Sequence, residues 1–396
     1  MKVLMIHHFG QIGGGTNSCF DICRMLIESG HEVVLAIPFP LEAVAKVAHD
    51  IGVRLIAAPV KAVCLSDHNA DSGFVKSLIK HVISTRHIGY WKQLFRSENP
   101  DLIMLNSSVQ GPMVKLAHQL GYKTVCFIRE TAKEKGVRFW KNANKKLLST
   151  ADALAFLTNY DIKAWGIPSK GKQLVVPDIV DEKRFNLNAP PNDGLASDVK
   201  YLLYLGGLNE EKGALDLLSA FRTCAQKNDK LHLIILGDTT GMAFKNLGKV
   251  HKLLRRRAIK YYEACKRELS SIEQEYGRVL DVGLVSDVSP WYKQADAIIF
   301  PVKKVHQARP VFEAGLFQKP VLVPDYEHFQ ESVIKGYNGL IYRKNNIEDM
   351  AEKILALASD ETARQRMGKN NYTLYCKNHT YEEAKRRLNE LLISLQ

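Results

Sequence analysis

Four clusters of residues in this 396-residue chain have types and spacings suited to a phosphorylated ligand. The first is Gly13-Gly14-Gly15, where glycines let backbone amides approach a phosphate at a positively polarised helix start. The spacing is not G-x-G-x-x-G, and Ile37-Pro38 stands where a nicotinamide-binding fold carries its acidic ribose ligand. A dehydrogenase is therefore disfavoured, while a tight strand-to-helix turn accounts for the same glycines. The second is Gly206-Gly207 with Lys212 five residues on, just before a helical stretch. That lysine could reach a diphosphate held at the helix start, or be a solvated turn residue. The third is Arg309-Pro310-Val311-Phe312-Glu313-Ala314-Gly315. An ionised Glu313 could accept hydrogen bonds from ribose hydroxyls, or sit on the surface near a helix start. The fourth is Arg129-Glu130, at the carboxyl end of an apolar run where α/β sheets bind ligands. A local salt bridge there would contribute at most about 1 kcal/mol.

The elements that must position these clusters alternate. Val3–Ile6, Val33–Ile37, Arg54–Ala57, Leu102–Leu105, Thr124–Ile128 and Ala153–Leu157 read as buried parallel strands, short and rich in Val, Ile and Leu. Helical patterns such as Ser18–Ser29, Val109–Leu120 and Phe139–Thr150 lie between them, a βαβ series with right-handed crossovers. The polar stretch 186–198 carries two prolines and a glycine and reads as a linker. Alternation then restarts with strands at Tyr201–Leu205, Leu231–Leu236, Ala297–Phe300 and Pro320–Val323. This predicts an α/β protein of two Rossmann-like domains facing across a cleft. Residues 1–190 form an N-terminal domain, residues 199–379 a C-terminal one, and a final helix within 380–396 packs back on the first. Lys249–Tyr276, with Arg255, Arg256 and Arg257 in succession, reads as one long solvated helix.

Composition narrows the class. An apolar share of 46% with 24% charged residues suits a soluble globular protein. No apolar run reaches the roughly 20 residues that span a bilayer, and the opening MKVLMIHHFG reads as a strand rather than a signal peptide. Seven cysteines without paired metal spacing suggest reduced thiols in the cytosol. The net charge is +13, denser in residues 1–190, which hold 24 Lys+Arg against 16 Asp+Glu. Residues 72–97 contain no acid, and the cations of 74–96 and 133–146 interleave with aromatics such as Phe74, Trp91, Phe95, Phe139 and Trp140. That mixture suits an anionic membrane surface, and equally suits helices packed on a sheet. No nucleic-acid-binding module is recognisable.

The ordered segments GGGTNSCFDICRMLIESGHEVVLA, VVPDIVDEKRF, YLGGLNEEKGALDLLSAF, LIILGD, VLDVGLVSDVSPWYKQADAIIFPV and FEAGLFQKPVLV resemble the family-4, GT-B-fold retaining glycosyltransferases nearly end to end. The resemblance implies transfer of a sugar from a UDP- or GDP-linked donor to a glycan acceptor, lipid-linked at the inner membrane face, in polysaccharide, O-antigen or capsule synthesis. It implies that Gly14 and Gly15 face donor phosphates or the acceptor. Lys212 would pair with the diphosphate, with Gly206 and Gly207 beside it, and Glu313 would bind the ribose. Backbone around Arg309, Pro310 and Val311 would hold sugar and phosphates, and Leu284 and Val285 would flank the base. Arg129, Glu130 and Lys212 are the catalytic candidates, and neither metal nor cofactor is expected. Two positions depart from the family pattern. Val305 replaces the first of two motif glutamates, so His306 is the candidate sugar contact, and Gly207 replaces an arginine, leaving Arg309 or Lys303 to compensate. A catalytically impaired binding protein and a sugar-nucleotide epimerase on the same fold are the alternatives.

Overall fold

A computed structural model describes the chain except residues 66–80, 84, 133–137, 191, 193–194, 246–247, 306–308 and 396. It divides into two compact units, Met1–Asp178 with Glu382–Gln396, and Ile179–Tyr381.

The first unit is built on strands β1 (Lys2–Ile6), β2 (Glu32–Pro38), β3 (Arg54–Ala58), β4 (Leu102–Leu105), β5 (Lys123–Ile128), β6 (Ala153–Phe156) and β7 (Lys172–Val175). They form one sheet in the order β3-β2-β1-β4-β5-β6-β7. Every pairing is parallel, with Val3 beside both Val33 and Leu102. Helices cover both faces, so β1 and β4 are apolar throughout their buried length rather than alternating. The final helix Tyr381–Ile393 buries Ala384, Leu388, Leu391 and Leu392. Lys385 pairs with Glu28 at 3.0 Å, and Lys123 donates to the Leu395 carbonyl at 2.6 Å.

The second unit uses β8 (Lys200–Tyr204), β9 (Leu231–Leu236), β10 (Val279–Gly283), β11 (Ala297–Ile299), β12 (Val321–Pro324) and β13 (Gly339–Tyr342). Their order is β10-β9-β8-β11-β12-β13, again all parallel. The stretch expected as a linker is anchored here. Lys293 donates to the Leu187 and Ala189 carbonyls, and the Asn186 amide donates to Ser289 Oγ at 2.9 Å. Strands β7, β10 and β13 are absent from the sequence-level reading. Each lies at a sheet edge, where one flank is open, and β7 and β10 are interrupted by polar residues.

One further expectation is corrected. The stretch read as one helix over 249–276 is two, Lys249–Leu254 and Arg256–Tyr276, broken at Arg255. In the stretch 74–96, residues 74–80 and 84 lie outside the described residues, as do 133–137 of the stretch 133–146. Where described, Trp91 and Phe95 are fully buried in the first unit's core, with Trp91 Nε1 donating to the Lys61 carbonyl. Those two rings therefore pack the sheet, while Val82, Ile83 and Ile88 of the same stretch are exposed.

Candidate functional site

In each sheet the order reverses between two adjacent strands whose connections leave in opposite directions, and parallel α/β sheets open a crevice there, at their carboxyl ends. In the first unit these strands are β1 and β4, in the second β8 and β11.

The first unit's switch point holds a directional hydrogen-bond relay. Asn106, just beyond β4, donates from Nδ2 to the Gly15 carbonyl at 2.8 Å and to His7 Nδ1 at 3.3 Å. His7 therefore carries its proton on Nε2, which donates to Thr16 Oγ1 at 3.1 Å, and Thr16 donates to the Gln11 carbonyl at 2.6 Å. Arg129 Nε donates to Asn106 Oδ1 at 3.2 Å, while its Nη1 donates to Asp178 Oδ1 at 2.6 Å. Ser18 joins the same Asp178 oxygen at 3.0 Å. The relay holds the glycine turn against β1. A Cβ on Gly14 would meet nothing within 4 Å, and one on Gly15 would touch only His7 at 3.6 Å. The turn's outer side is thus open, and no side chain caps the helix Gly14–Glu28 that follows it. Glu130 points elsewhere. One carboxylate oxygen accepts from Ser107 Oγ and the other from the Ser108 amide at 2.9 Å, so the side chain pins the turn after β4.

Burial, reinforced by His8 and Arg129 nearby, lowers the His7 pKa to about 3. An unfolded chain protonates this histidine near its ordinary 6.5, whereas the folded one keeps it neutral. Its stabilising contribution is therefore complete above pH 6.5 and is lost as pH falls from there towards 3. Urea unfolding at pH 6.5 and pH 5 should differ by about 2 kcal/mol from this group, at about 1.4 kcal/mol per pH unit. His7→Gln should flatten that slope, and an unchanged slope would remove His7 as its source.

In the second unit the loops after β10, β9 and β8 abut in sequence. The Gly237 amide donates to the Gly283 carbonyl at 2.8 Å, and a Cβ on Gly237 would fall 2.6 Å from the Gly207 nitrogen. Gly207, at φ +57°, would drive its own Cβ into the Asp238 backbone, and one on Gly206 would collide with the Tyr204 hydroxyl. Packing within the unit thus already requires glycine at 206 and 207. Leu284, next after β10, is 72% exposed, and Val285 is partly buried against the core.

Lys212 and Glu313 flank the switch point between β8 and β11. Lys212 precedes the helix Ala214–Lys227, and its Nζ stands 5.5 Å over the ring of buried Phe300, at the end of β11. Burial lowers its pKa to about 8. Glu313 lies in the helix Arg309–Leu316, with a side chain 13% exposed. The fully buried Tyr292 donates its hydroxyl to Glu313 Oε2 at 2.8 Å, and Arg309 Nε donates to Oε1 at 3.1 Å. Desolvation raises this carboxyl's pKa against the opposing pull of Arg309 and Tyr292. Each oxygen retains a lone pair for a further donor. Pro310 fits a helix start, where a missing N–H costs nothing, and Val311 is buried in the core. Gly315 lets the helix Glu361–Asn378 approach, since a Cβ there would meet Tyr375 at 2.8 Å. His306 lies outside the described residues.

The cations expected to replace the missing arginine are engaged elsewhere. Lys303 pairs with Asp216 at 2.8 Å and Arg309 with Glu313. Sequence reasoning missed His7, Asn106, Asp178 and Tyr292 as site residues. The pair of histidines closing β1 was the visible signal; the Tyr292–Glu313 and Arg129–Asp178 contacts span 21 and 49 residues without a local pattern.

Residues 188–374 match the family of glycosyl transferases group 1. The matched stretch contains Lys212, Leu284 and Glu313. An uncharacterized glycosyltransferase of Methanocaldococcus jannaschii is 27% identical over 173 residues, 44% of this chain and 42% of that protein. The capsular polysaccharide biosynthesis glycosyltransferase CapM of Staphylococcus aureus is 22% identical over 182 residues, covering 44% and 41%. An N,N'-diacetylbacillosaminyl-diphospho-undecaprenol alpha-1,3-N-acetylgalactosaminyltransferase of Campylobacter jejuni is 32% identical over 94 residues, covering 24% and 25%. The chain thus spans less than half the length of these relatives. The crystal structure of Anabaena HepE in complex with UDP superposes over 100% of both chains with a TM-score of 0.75 at 15% identity. The fold is GT-B.

Proposed function

We propose that this chain is a retaining glycosyltransferase, moving a sugar from a UDP- or GDP-linked donor to a lipid-linked glycan at the cytoplasmic face of the membrane. The observation that carries the reading is the placement of Lys212 after β8 and Glu313 after β11, on the two sides of the second unit's switch point. Glu313 accepts from the donor's ribose hydroxyls, and Tyr292 and Arg309 hold it in place. Lys212 and the start of the helix at Arg309 meet the diphosphate, with Leu284 against the base. As the bond from the sugar C1 to the phosphate oxygen breaks, negative charge grows on that oxygen, where Lys212 stabilises it. The acceptor oxygen bonds C1 from the same face, and its proton passes to the departing phosphate. This chemistry needs no resident cofactor. Arg129, through Asn106, holds the glycine turn and Glu130 holds the turn after β4; both act as positioning residues rather than touching the sugar. The HepE structures with UDP and UDP-glucose and the undecaprenol-linked substrate named for the Campylobacter relative support the choice of donor and acceptor.

A thermal-shift series with UDP, GDP and ADP tests the donor site, since a ligand of the native state raises its apparent stability. One nucleotide should shift the midpoint. Glu313→Ala should abolish the shift, and Glu313→Gln, which keeps an acceptor oxygen, should retain part of it. No shift with any nucleotide would sink the site. Val305 and Gly207, in place of a family glutamate and arginine, favour a second reading in which the nucleotide binds without turnover. Nucleotide binding with no donor hydrolysis or transfer would select it. The anomeric configuration of a product, read by NMR, decides between retention and inversion.

A further inference from the structure

The crossover from β9 to β10 carries a feature that donor binding does not use. Residues 239–262 hold seven Lys and Arg and no Asp or Glu, over half of the chain's net +13. The short helix Lys249–Leu254 ends on two leucines that face solvent, Leu253 at 71% and Leu254 at 69% exposure. Arg255, Arg256 and Arg257 follow directly, all exposed, with exposed Lys260 one turn further on. Among the described residues Arg255, Arg256 and Lys260 meet no acidic partner, whereas Arg257 pairs with Glu210 at 2.6 Å. Met242, earlier on the same crossover, is 64% exposed. The long helix Arg256–Tyr276 buries Cys265, Leu269 and Ile272, so its C-terminal two-thirds are held by packing while its first turn and the leucine pair project.

Adjacent exposed leucines are costly in water, and packing inside the unit does not require these two. We propose that the turn Leu253–Arg257 is a membrane-docking element that inserts Leu253 and Leu254 among the acyl chains of an anionic lipid surface while its arginines engage the headgroups. The combination fits a bilayer better than other partners. A leucine pair on a convex turn needs no matching pocket in a fluid interface, and the concentrated positive charge complements anionic lipid. Nucleic acid would use the arginines but leave the leucines in water. A second copy of this chain would bring a surface that is itself net positive. The Arg257–Glu210 pair lies two residues from Lys212, so a docked turn would set the orientation of the diphosphate loop relative to the bilayer.

The test is sedimentation of the full chain with phosphatidylcholine vesicles, with and without phosphatidylglycerol. The chain should bind the anionic vesicles, and raised salt should weaken the binding as screening shortens the reach of the arginines. Leu253→Ser with Leu254→Ser should lower partitioning at least about tenfold. Arg255→Gln with Arg256→Gln should lower it about thirtyfold and make the salt dependence shallower. All four side chains are exposed, so the unfolding midpoint and any nucleotide-induced shift should match the parent. The donor reading and the membrane reading can therefore fail separately. Two results would overturn the proposal: no vesicle binding by the parent, or vesicle binding unaltered in either variant.

Discussion

Lys212→Met should weaken UDP or GDP binding, whichever shifts the parent, by roughly ten- to a hundredfold, the usual cost of one hydrogen bond to a charged group. The ammonium is partly withdrawn from water over the Phe300 ring, where an anion feels it more strongly than at an open surface. The same withdrawal lowers its pKa to about 8, against an ordinary 10.5. Because the diphosphate favours the protonated form, the free protein is ready to bind below pH 8 and must first take up a proton above it. Affinity should therefore be flat below pH 8 and fall above it, by up to about tenfold per pH unit. Calorimetric titration at pH 7, 8 and 9, in buffers of different ionisation enthalpy, reads both the affinity and the proton uptake. A Lys212→Met variant that kept the parent's affinity and pH slope would show that the diphosphate does not meet this lysine.

Gly213→Ala should cost the second unit about 3–5 kcal/mol. The residue sits at φ +74°, where an alanine costs about 1 kcal/mol or more. Its Cβ would also lie 1.9 Å from the Pro301 carbonyl oxygen and 2.8 Å from that carbon, both backbone atoms of the segment leaving β11. Neither can move without disturbing the Lys303 amide, which donates to the Glu211 carbonyl at 3.0 Å, so overpacking adds a few kcal/mol. A loss of that size is a large share of a typical folding stability, and the second unit's thermal midpoint should drop by about 10 °C. Gly14→Ala is the control: with nothing within 4 Å of the new Cβ and a helical position, it should leave the midpoint nearly unchanged. Equal losses in the two variants would argue that glycine at 213 answers no particular collision.

Much of this protein is decided along the chain. Buried parallel strands declare themselves because residues covered on both faces must be apolar in succession, as Val3–Ile6 and Leu231–Leu236 are. The helix start after Gly213 and the run around Glu313 are equally local, since glycine, lysine and glutamate at a strand-to-helix turn have few other uses. Edge strands such as β10 escaped because half their surroundings are open, and the break at Arg255 escaped because a continuous charged pattern carries no stop signal.

Only the tertiary structure decided which way side chains of ambiguous type would face. Trp91 and Phe95 turned into the core although basic neighbours suggested an interface, because the helix Ile88–Glu98 has one face to bury and the sheet lies under it. Leu253 and Leu254 turned outward although their type suggested burial, since their short helix ends before the packed helix begins. The partners of the site were also beyond local reading. Asn106 meets His7 and Arg129 meets Asp178 because parallel strands bring their carboxyl ends together across a sheet, and Tyr292 meets Glu313 because the helices Ser289–Gln294 and Arg309–Leu316, before and after β11, pack together. Residue types and spacing thus determined the two sheets and the residues proposed to hold a nucleotide. Strand order determined which of those residues stand side by side.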